Sequence, residues 1–192
     1  MIAIIKYNAG NIRSVANAVK RLGFEPLITD DADAISKADK VIFPGVGEAA
    51  SAMRYLKDKG LDLIIVSLRQ PVLGICLGLQ LLCRHSEEGD TECLNIFDTD
   101  VKLFPPVDKV PHMGWNNFFS LKGELFSGVS AADDVYYVHS YYPEISSCTV
   151  AVCDYIVPFS AALVKGNFYA TQFHPEKSAL TGEKILMNFL KL

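Results

Sequence analysis

The sequence has 192 residues, of which 50% are hydrophobic and 21% are charged, and this composition excludes an intrinsically disordered chain. Its 18 basic and 22 acidic residues give a formal net charge of −4, which argues against nucleic acid or an anionic membrane as the partner. The longest uncharged stretch, from Gln70 to Cys83, is too short and too polar for a transmembrane helix. We therefore expect a single domain over residues 1–192, with enough apolar surface for a full core.

The five cysteines are irregularly spaced and do not form the framework of a disulfide-rich secreted protein. The N-terminus lacks both the basic start and the long apolar run of a secretory signal. Both features favour a reducing cytoplasm. The pair Cys83 and His85 and the pair Cys148 and Cys153 lack the ligand spacing of a zinc site, so no metal and no cofactor are expected.

Short apolar runs alternate with helical patterns up to about residue 85. In chain order they are a run at 2–5, a helix over 11–22, a run at 41–43, a helix from 49 to 60, a run at 71–75 and a helix start at 77–83. In the first two helical segments the apolar residues recur every three or four positions, which is the period of one helix face. The alternation is typical of βαβ units and predicts a parallel sheet.

The middle of the chain has a different character. Residues 87–100 are acidic and irregular, whereas residues 101–164 are rich in aromatic and β-branched residues, with proline and glycine between them. This composition indicates antiparallel strands or long loops. A strand pattern returns at 168–173 and a helical pattern at 181–190. We therefore expect an α/β fold with an additional antiparallel section.

The pentapeptide Gly74-Ile75-Cys76-Leu77-Gly78 carries the sharpest chemical pattern in the chain. It joins an apolar strand to an apolar helix, which is the arrangement of a nucleophile elbow with cysteine in place of serine. The turn is tight, so its flanking residues must be glycine, and the nucleophile projects beside a helix N-terminus, where the dipole and free N–H groups favour a thiolate. The competing interpretation is a buried cysteine at an ordinary strand-to-helix turn.

A thiolate nucleophile needs an acid–base partner, and His174 is the candidate among the four histidines. It follows a predicted strand, and Glu176 stands two residues later, where a carboxylate is able to accept the imidazole N–H and orient the ring. By itself this motif would also fit a turn with a solvated glutamate. Cys76 and His174 are distant in sequence, so only the fold brings them together.

The glycine-rich turn at residues 44–47 is a candidate oxyanion site. Acyl transfer needs N–H donors aimed at the developing negative charge, and a turn at a strand end is able to supply one while Leu77 supplies a second. All three pieces follow predicted strands, where α/β sheets bind their ligands. Together they indicate hydrolysis of an amide or an ester, and they do not by themselves specify glutamine, ammonia transfer or a partner.

The segment from Gly74 to Gln80, together with the distant His-Pro-Glu, resembles the class I, triad-type glutamine amidotransferases. Further motifs, of which the His-Met-Gly-Trp-Asn segment is the most specific, resemble the family of glutaminase subunits of imidazole glycerol phosphate synthase, from histidine biosynthesis. These motifs are Tyr7–Val15, Pro44–Gly47, Val110–Asn116, Tyr137–Tyr142 and Gln172–Ser178. The resemblance spans nearly the whole chain and implies a three-layer fold with a mostly parallel central sheet.

The resemblance implies a Cys76–His174–Glu176 catalytic triad. Cys76 attacks the side-chain amide of glutamine to form a thioester, His174 shuttles the proton, and Glu176 orients His174. Water then releases glutamate, and the ammonia enters a separate (β/α)₈-barrel cyclase that makes imidazole glycerol phosphate. No triad position departs from the pattern of the family.

The same resemblance assigns residues to the glutamine pocket. Gln80 matches the position that holds the amino-acid end of glutamine, and the backbone around Ser140 and Tyr141 matches the segment that lines the same pocket. Gly47 and Leu77 match the oxyanion donors.

A chain of this length has no room for the barrel, so the cyclase is expected to be a separate chain in a heterodimer. The residues in segments that face the partner in the family are Asn11, His112, Met113, Trp115, Tyr136 and Lys177. For the aromatic members the alternative is packing in the core. Two other features are interpreted as structural: His139, and the acidic run over residues 87–92, which is expected to form a solvated loop.

Three other functions compete with this one. The first is another class I glutaminase subunit, such as the one of pyridoxal phosphate synthesis, and the Val110–Asn116 motif argues against it. The second is a non-catalytic regulatory subunit of the same fold, which would not need the intact triad. The third is a redox-sensing or chaperone-like protein with a reactive cysteine elbow, which would need neither Gln80 nor the His-Pro-Glu motif.

Overall fold

The computed structural model describes residues 1–8 and 10–192; Ala9, which belongs to the Tyr7–Val15 motif, lies outside the described residues. The strands are β1 Ile2–Ile5, β2 Pro26–Thr29, β3 Lys40–Gly45, β4 Val72–Cys76, β5 Cys83–Ser86, β6 Thr91–Glu92, β7 Phe97–Leu103, β8 His112–Asn116, β9 Ser120–Leu121, β10 Val135–His139, β11 Tyr141–Pro143, β12 Thr149–Asp154, β13 Pro158–Lys165 and β14 Phe168–Thr171. The helices are α1 Ile12–Arg21, α2 Ala32–Ser36, α3 Ala49–Asp58, α4 Leu61–Ser67, α5 Leu77–Leu82 and α6 Ala179–Lys191, with 3₁₀ turns at Glu124–Phe126 and Pro175–Lys177.

A mixed sheet of eight strands forms the centre of the molecule, in the order β2-β1-β3-β4-β14-β13-β12-β9. The five strands from β2 to β14 pair in parallel, and β13, β12 and β9 continue the sheet in antiparallel pairs. The expectation of a parallel sheet with an added antiparallel section is confirmed. Parallel strands are buried on both faces, which explains why β1, β3 and β4 read as continuous apolar runs.

Helices cover both faces of this sheet and produce three layers. Ile2 and Ile4 of β1 belong to one hydrophobic cluster, which also contains the buried sides of α1 and α6. Ala3 and Ile5 of the same strand belong to a second cluster with α2, α3, α4 and α5. Because successive side chains of a strand point to opposite faces, one apolar run supplies both cores.

The middle of the chain forms two smaller sheets beside the main one. The first contains the antiparallel pair β8 and β10, and the second has the order β11-β7-β5-β6. Residues 87–100 are more regular than the sequence indicated, because β6 and the start of β7 lie within them. The sequence also did not predict β2, α2 or α4, which are short elements with few buried residues.

No helix within residues 1–8 and 10–192 combines the length and the apolar character that a membrane crossing requires.

Candidate active site

The three predicted active-site segments lie at the carboxyl ends of three neighbouring strands. β3 ends in the glycine-rich turn, β4 ends at Cys76, and β14 leads into the segment that carries His174. In the sheet Gly45 is paired with Cys76, and Thr171 is paired with Ile75. Because parallel strands present their carboxyl ends at one edge, segments that are distant in sequence meet there.

The backbone at Cys76 has the strained conformation of a nucleophile elbow. Its φ of 54° and ψ of −110° lie in a region that residues other than glycine rarely occupy. A Cβ on Gly78 would overlap the carbonyl oxygen of Phe43, and this close approach requires glycine. A Cβ on Gly74 would lie 2.7 Å from the side chain of Leu82. The tight turn therefore presents the sulfur at the sheet edge, immediately before α5 begins.

His174 and Glu176 form a buried hydrogen-bonded pair. The His174 Nδ1 atom lies 2.8 Å from Oε1 of Glu176, and both side chains are fully buried. The side-chain amide of Asn11 donates to the same carboxylate oxygen. Because the carboxylate accepts the Nδ1 proton, Nε2 is the nitrogen that exchanges a proton with reacting groups. The sequence suggested a partner contact for Asn11, whereas the structure places its amide on the Glu176 carboxylate.

Opposing effects act on the pKa of His174. Burial of the ring lowers this pKa, whereas the negative charges of a Cys76 thiolate and of Glu176 raise it by more. The net result is a pKa well above the ordinary value of histidine, which favours an imidazolium beside a thiolate. Within the described residues, His174 Nε2 has no hydrogen-bond partner, so this nitrogen is not committed to the protein.

Two polar groups lie within reach of the Cys76 sulfur. The side-chain nitrogen of Gln172 lies 3.7 Å from Sγ, and the carbonyl oxygen of Val138 lies 4.0 Å from it. Gln172 was part of a motif in the sequence, but its residue type alone did not suggest a contact with the nucleophile.

A cavity of about 370 Å³ opens at Cys76. Its lining includes all the predicted oxyanion and pocket residues, and it also includes residues that the sequence did not single out for the pocket. The predicted ones are Gly47, Leu77, Gln80, Ser140 and Tyr141, and the others are Val46, Glu88, Pro111, Val138 and His139.

Glu88 is the main residue that sequence reasoning missed. It stands in the acidic run that was expected to be a solvated loop, but it is half-buried and lines the cavity. Its Oε2 atom accepts the N–H of Ala49 at 2.8 Å, which leaves Oε1 for a ligand. Burial raises the pKa of this carboxyl, and the Ala49 N–H and the Glu48 charge act on it more weakly. The expectation of a solvated loop is wrong for this residue, because the fold places it against the start of α3, where it accepts the Ala49 N–H.

Gln80 has a determined orientation in the cavity wall. Its Nε2 atom donates to the carbonyl oxygen of Tyr141 at 3.0 Å and to Oε1 of Gln172 at 3.0 Å. Both protons of the amide are therefore used within the protein, and the acceptor Oε1 is the atom left for a ligand.

His112 and His139 form a pair of buried histidines, and His139 also lines the cavity. His139 Nδ1 donates to the carbonyl oxygen of Tyr141 at 2.8 Å, and His139 Nε2 lies 3.1 Å from Nδ1 of His112. The His112 ring is stacked between Tyr137 and Tyr155, with centroid distances of 4.7 and 4.0 Å. His112 was expected to face a partner, but it is only 4% exposed because the strand alternation turns it inward.

The neighbouring side chains of β8 point outward. Met113 is 59% exposed and Trp115 is 55% exposed. Trp115 packs edge-to-face against Tyr136 of β10 at 6.0 Å, and Lys177 lies 5.9 Å above the same tyrosine ring. These four residues, here called the β8–β10 patch, form a partly apolar surface whose only charge is that of Lys177.

Three comparisons relate this chain to known proteins. Residues 3–192 match the profile of the family described as glutamine amidotransferase class-I. The chain is 62% identical to imidazole glycerol phosphate synthase subunit HisH of Bacteroides fragilis (strain YCH46), covering 100% of this chain and 99% of that protein. It is 61% identical to the HisH subunit of Bacteroides thetaiotaomicron, with the same coverage. The structure of PurLQS from Thermotoga maritima superposes with a TM-score of 0.74 at 17% identity, over 99% of this chain and 97% of that chain.

The solved structure establishes the fold alone, whereas the profile and the relatives establish the family. The chain therefore belongs to the class I glutamine amidotransferases and, within them, to the family of imidazole glycerol phosphate synthase HisH subunits.

Proposed function

We propose that this chain is the glutaminase subunit of imidazole glycerol phosphate synthase and acts in histidine biosynthesis. It hydrolyses glutamine to glutamate and ammonia and delivers the ammonia to a separate cyclase subunit. The observation that carries this proposal is the strained elbow at Cys76 beside the buried His174–Glu176 pair, in a chain 62% identical to HisH over its full length. We further propose that residues 1–192 act as one domain in the cytoplasm.

The reaction begins with the sulfur of Cys76. His174 Nε2 takes the thiol proton, because Nδ1 is held by Glu176, and the thiolate adds to the side-chain carbonyl carbon of glutamine. The C–N bond then breaks, and the imidazolium returns the proton to the leaving nitrogen, which departs as ammonia. His174 next takes a proton from water, and the hydroxide adds to the thioester. The C–S bond then breaks to release glutamate, and His174 returns its proton to the leaving sulfur, which restores Cys76.

The tetrahedral intermediates carry a negative oxygen that needs N–H donors. Leu77 is the first residue of α5, so its N–H has no partner inside the helix and is available beside the nucleophile. Gly47 supplies the second donor from the cavity wall. The Val46 carbonyl accepts the N–H of Gly10 at 3.3 Å, and the two groups of a peptide point in opposite directions, so the N–H of Gly47 points away from Gly10.

Glutamine also carries an α-ammonium and an α-carboxylate group. The free Oε1 atoms of Gln80 and Glu88 are acceptors, and the negative charge of Glu88 makes it the counter-charge for the ammonium. The backbone at Ser140 and Tyr141 forms the facing wall. A reaction at the amide end is thereby combined with recognition of the amino-acid end.

The β8–β10 patch is the proposed docking surface for the cyclase. Exposed aromatic and methionine side chains are enriched in the centres of protein interfaces, and Trp115 and Tyr136 are held edge-to-face before binding. Lys177 follows the triad glutamate directly, so a contact on this patch adjoins the active site in sequence.

The proposal is tested by measuring glutamate release from glutamine by the chain alone, and then with the cyclase subunit and its nucleotide substrate. We expect strong stimulation by the liganded cyclase and a loss of all release in Cys76→Ala. Cys148→Ala is the matched control, because that cysteine does not line the cavity, and it should retain full activity. Release that ignores the cyclase would remove the assignment to histidine biosynthesis, and no release under any condition would favour a regulatory subunit.

The docking surface needs a separate measurement. Trp115→Ala should weaken the affinity for the cyclase about tenfold or more, because exposed tryptophans are frequent hot spots. Its own stability should change little, since the side chain is more than half exposed. Leu63→Ala on α4 is the control, because Leu63 is 70% exposed and lies outside the patch. Equal affinities in the two variants would overturn the assignment of this surface.

A further inference from the structure

Gln172 occupies the position beside the nucleophile on the neighbouring strand. β14 runs parallel to β4 with Thr171 opposite Ile75, so the next residue along β14 comes level with Cys76. The backbone N–H of Gln172 donates to the carbonyl oxygen of Ala161 at 2.8 Å, which anchors the residue to β13. Its side chain is fully buried, so every polar atom of the amide must find its partner inside the protein.

The hydrogen-bond network determines which end of this amide faces the sulfur. The carbonyl oxygen of Tyr141 is able only to accept, so the atom of Gln80 that contacts it is the nitrogen. The same nitrogen donates to Gln172 at 3.0 Å, so the facing atom of Gln172 is its oxygen. The nitrogen of Gln172 is then the atom that lies 3.7 Å from Cys76 Sγ. A reversed amide would place two N–H groups face to face.

We propose that Gln172 is a hydrogen-bond donor to the catalytic sulfur. A hydrogen bond to an ionised acceptor is stronger than one to a neutral acceptor. The Gln172 amide therefore favours the thiolate over the thiol, and it opposes the cost of burying that charge. The same preference assists the release of the sulfur when water cleaves the thioester.

The catalytic role of Gln172 rests on the proposed glutaminase activity, but alkylation of Cys76 tests its hydrogen bond to the sulfur without glutamine turnover. The full-length chain is treated with iodoacetamide from pH 5.5 to 9, and mass spectrometry follows carbamidomethylation of the Cys76 peptide. Gln172→Glu is nearly isosteric and turns the donor facing the sulfur into an acceptor. Gln172→Met fills a similar volume without any donor.

The control variant is Gln70→Glu. Gln70 makes the same kind of contact far from the site, because its Nε2 atom donates to the carbonyl oxygens of Ile35 at 3.0 Å and Ser36 at 3.4 Å. The same chemical change is therefore made at a partly buried glutamine that does not touch the active site.

At pH 7 we expect alkylation of Cys76 to slow about tenfold or more in Gln172→Glu and less in Gln172→Met, because each loses a hydrogen bond to a charged group. The pH dependence should move to higher pH in both variants and stay unchanged in Gln70→Glu. With the liganded cyclase, kcat for glutamine hydrolysis should fall about ten- to a hundredfold, while KM changes less than about threefold, because Gln172 contacts the sulfur and not the glutamine.

Wild-type alkylation rates and an unchanged pH profile in both Gln172 variants would overturn the inference. If Gln172→Glu does not fold, as judged by circular dichroism, the uncharged Gln172→Met variant decides the result. If the wild-type chain fails to hydrolyse glutamine, the proposed function is rejected. Slower alkylation in the Gln172 variants would still support the donor role in that case. The two failures are thus distinguishable.

Discussion

His174 and the pair formed by His112 and His139 are all buried, but their surroundings act on their protonation in opposite ways. His174 has Glu176 at Nδ1 and the catalytic sulfur nearby, and although burial lowers its pKa, the two negative groups raise it by more. Among the described residues, His112 and His139 have no carboxylate partner, and burial lowers their pKa to about 4 and about 3 respectively. The first ring is favoured as a cation, and the second pair is held neutral.

The hydrogen bonds explain why only one set is able to carry out acid–base chemistry. In the neutral pair every ring nitrogen has a partner: His139 donates to the Tyr141 carbonyl and accepts from His112, and His112 accepts from Asn116. In His174 one nitrogen has no partner within the described residues. A ring with both nitrogens committed has a fixed tautomer, whereas a ring with one free nitrogen transfers protons. The surroundings, and not the residue type, therefore assign the roles.

The largest expected effect comes from removing the proton carrier. His174→Gln should reduce glutamine hydrolysis by about 10²- to 10⁴-fold, because it removes the group that exchanges protons with the sulfur and the leaving nitrogen. His112→Gln changes the same residue type outside the proton path and should lose far less. Glutamate release with the liganded cyclase measures both variants. A comparable loss of activity in the two variants would contradict the assignment of proton transfer to His174 alone.

The next effect concerns the orienting carboxylate. Glu176→Gln removes the negative charge that favours the imidazolium and allows an amide N–H to face Nδ1, which would place the proton on the wrong nitrogen. We expect kcat to fall about a hundredfold. This loss is larger than that from one charged hydrogen bond and smaller than that from removing a triad residue. Asn11→Ala keeps the carboxylate and removes only its donor, so it should lose about tenfold or less. Equal activity of Glu176→Gln and wild type would contradict the orienting role.

Because His112 and His139 are buried in the neutral form, they should make the free energy of unfolding depend on pH. The pKa of His139 is about 3 in the folded chain, below its ordinary value of 6.5, so the unfolded chain binds an extra proton between these values. The free energy of unfolding therefore falls as the pH is lowered from about 6.5 toward about 3, by at most about 1.4 kcal/mol per pH unit from this group.

Urea unfolding at pH 7, 6 and 5 measures this slope, and His139→Gln removes the titrating group as the comparison. Stability should decline less with acidification in the variant than in the wild type. Parallel declines in the two chains would show that folding does not lower the pKa of His139.

The smallest expected effect is on substrate binding. The Tyr141 carbonyl accepts from both His139 and Gln80, so the neutral pair holds a wall of the glutamine pocket. His139→Phe removes the donor and should raise KM for glutamine about threefold with little change in kcat, the consequence of one hydrogen bond of ordinary strength. His139→Asn retains a donor near the Nδ1 position and should lie closer to wild type. A loss in kcat with unchanged KM would instead place His139 in the chemistry.

Local patterns were enough to predict several elements of this protein. The parallel strands β1, β3 and β4, the helices α1, α3 and α6, and the elbow at Cys76 follow from apolar runs and glycine spacing over a few residues. The short elements β2, α2 and α4 were missed, because each buries few side chains and therefore has a weak apolar pattern. The family resemblance extended the prediction from an amide-cleaving site to glutamine and a cyclase partner.

Only the tertiary structure decided which polar side chains enter the site. Glu88 lies in an acidic run whose composition indicates solvent exposure, but the fold half-buries it beside the start of α3. The contact of Gln172 with the sulfur depends on the register of β14 against β4, which joins residues almost a hundred positions apart. The sequence by itself determined the reactive groups and their local turns, because those depend on neighbouring residues. The fold determined their partners and protonation, because burial and charge proximity are properties of the packed chain.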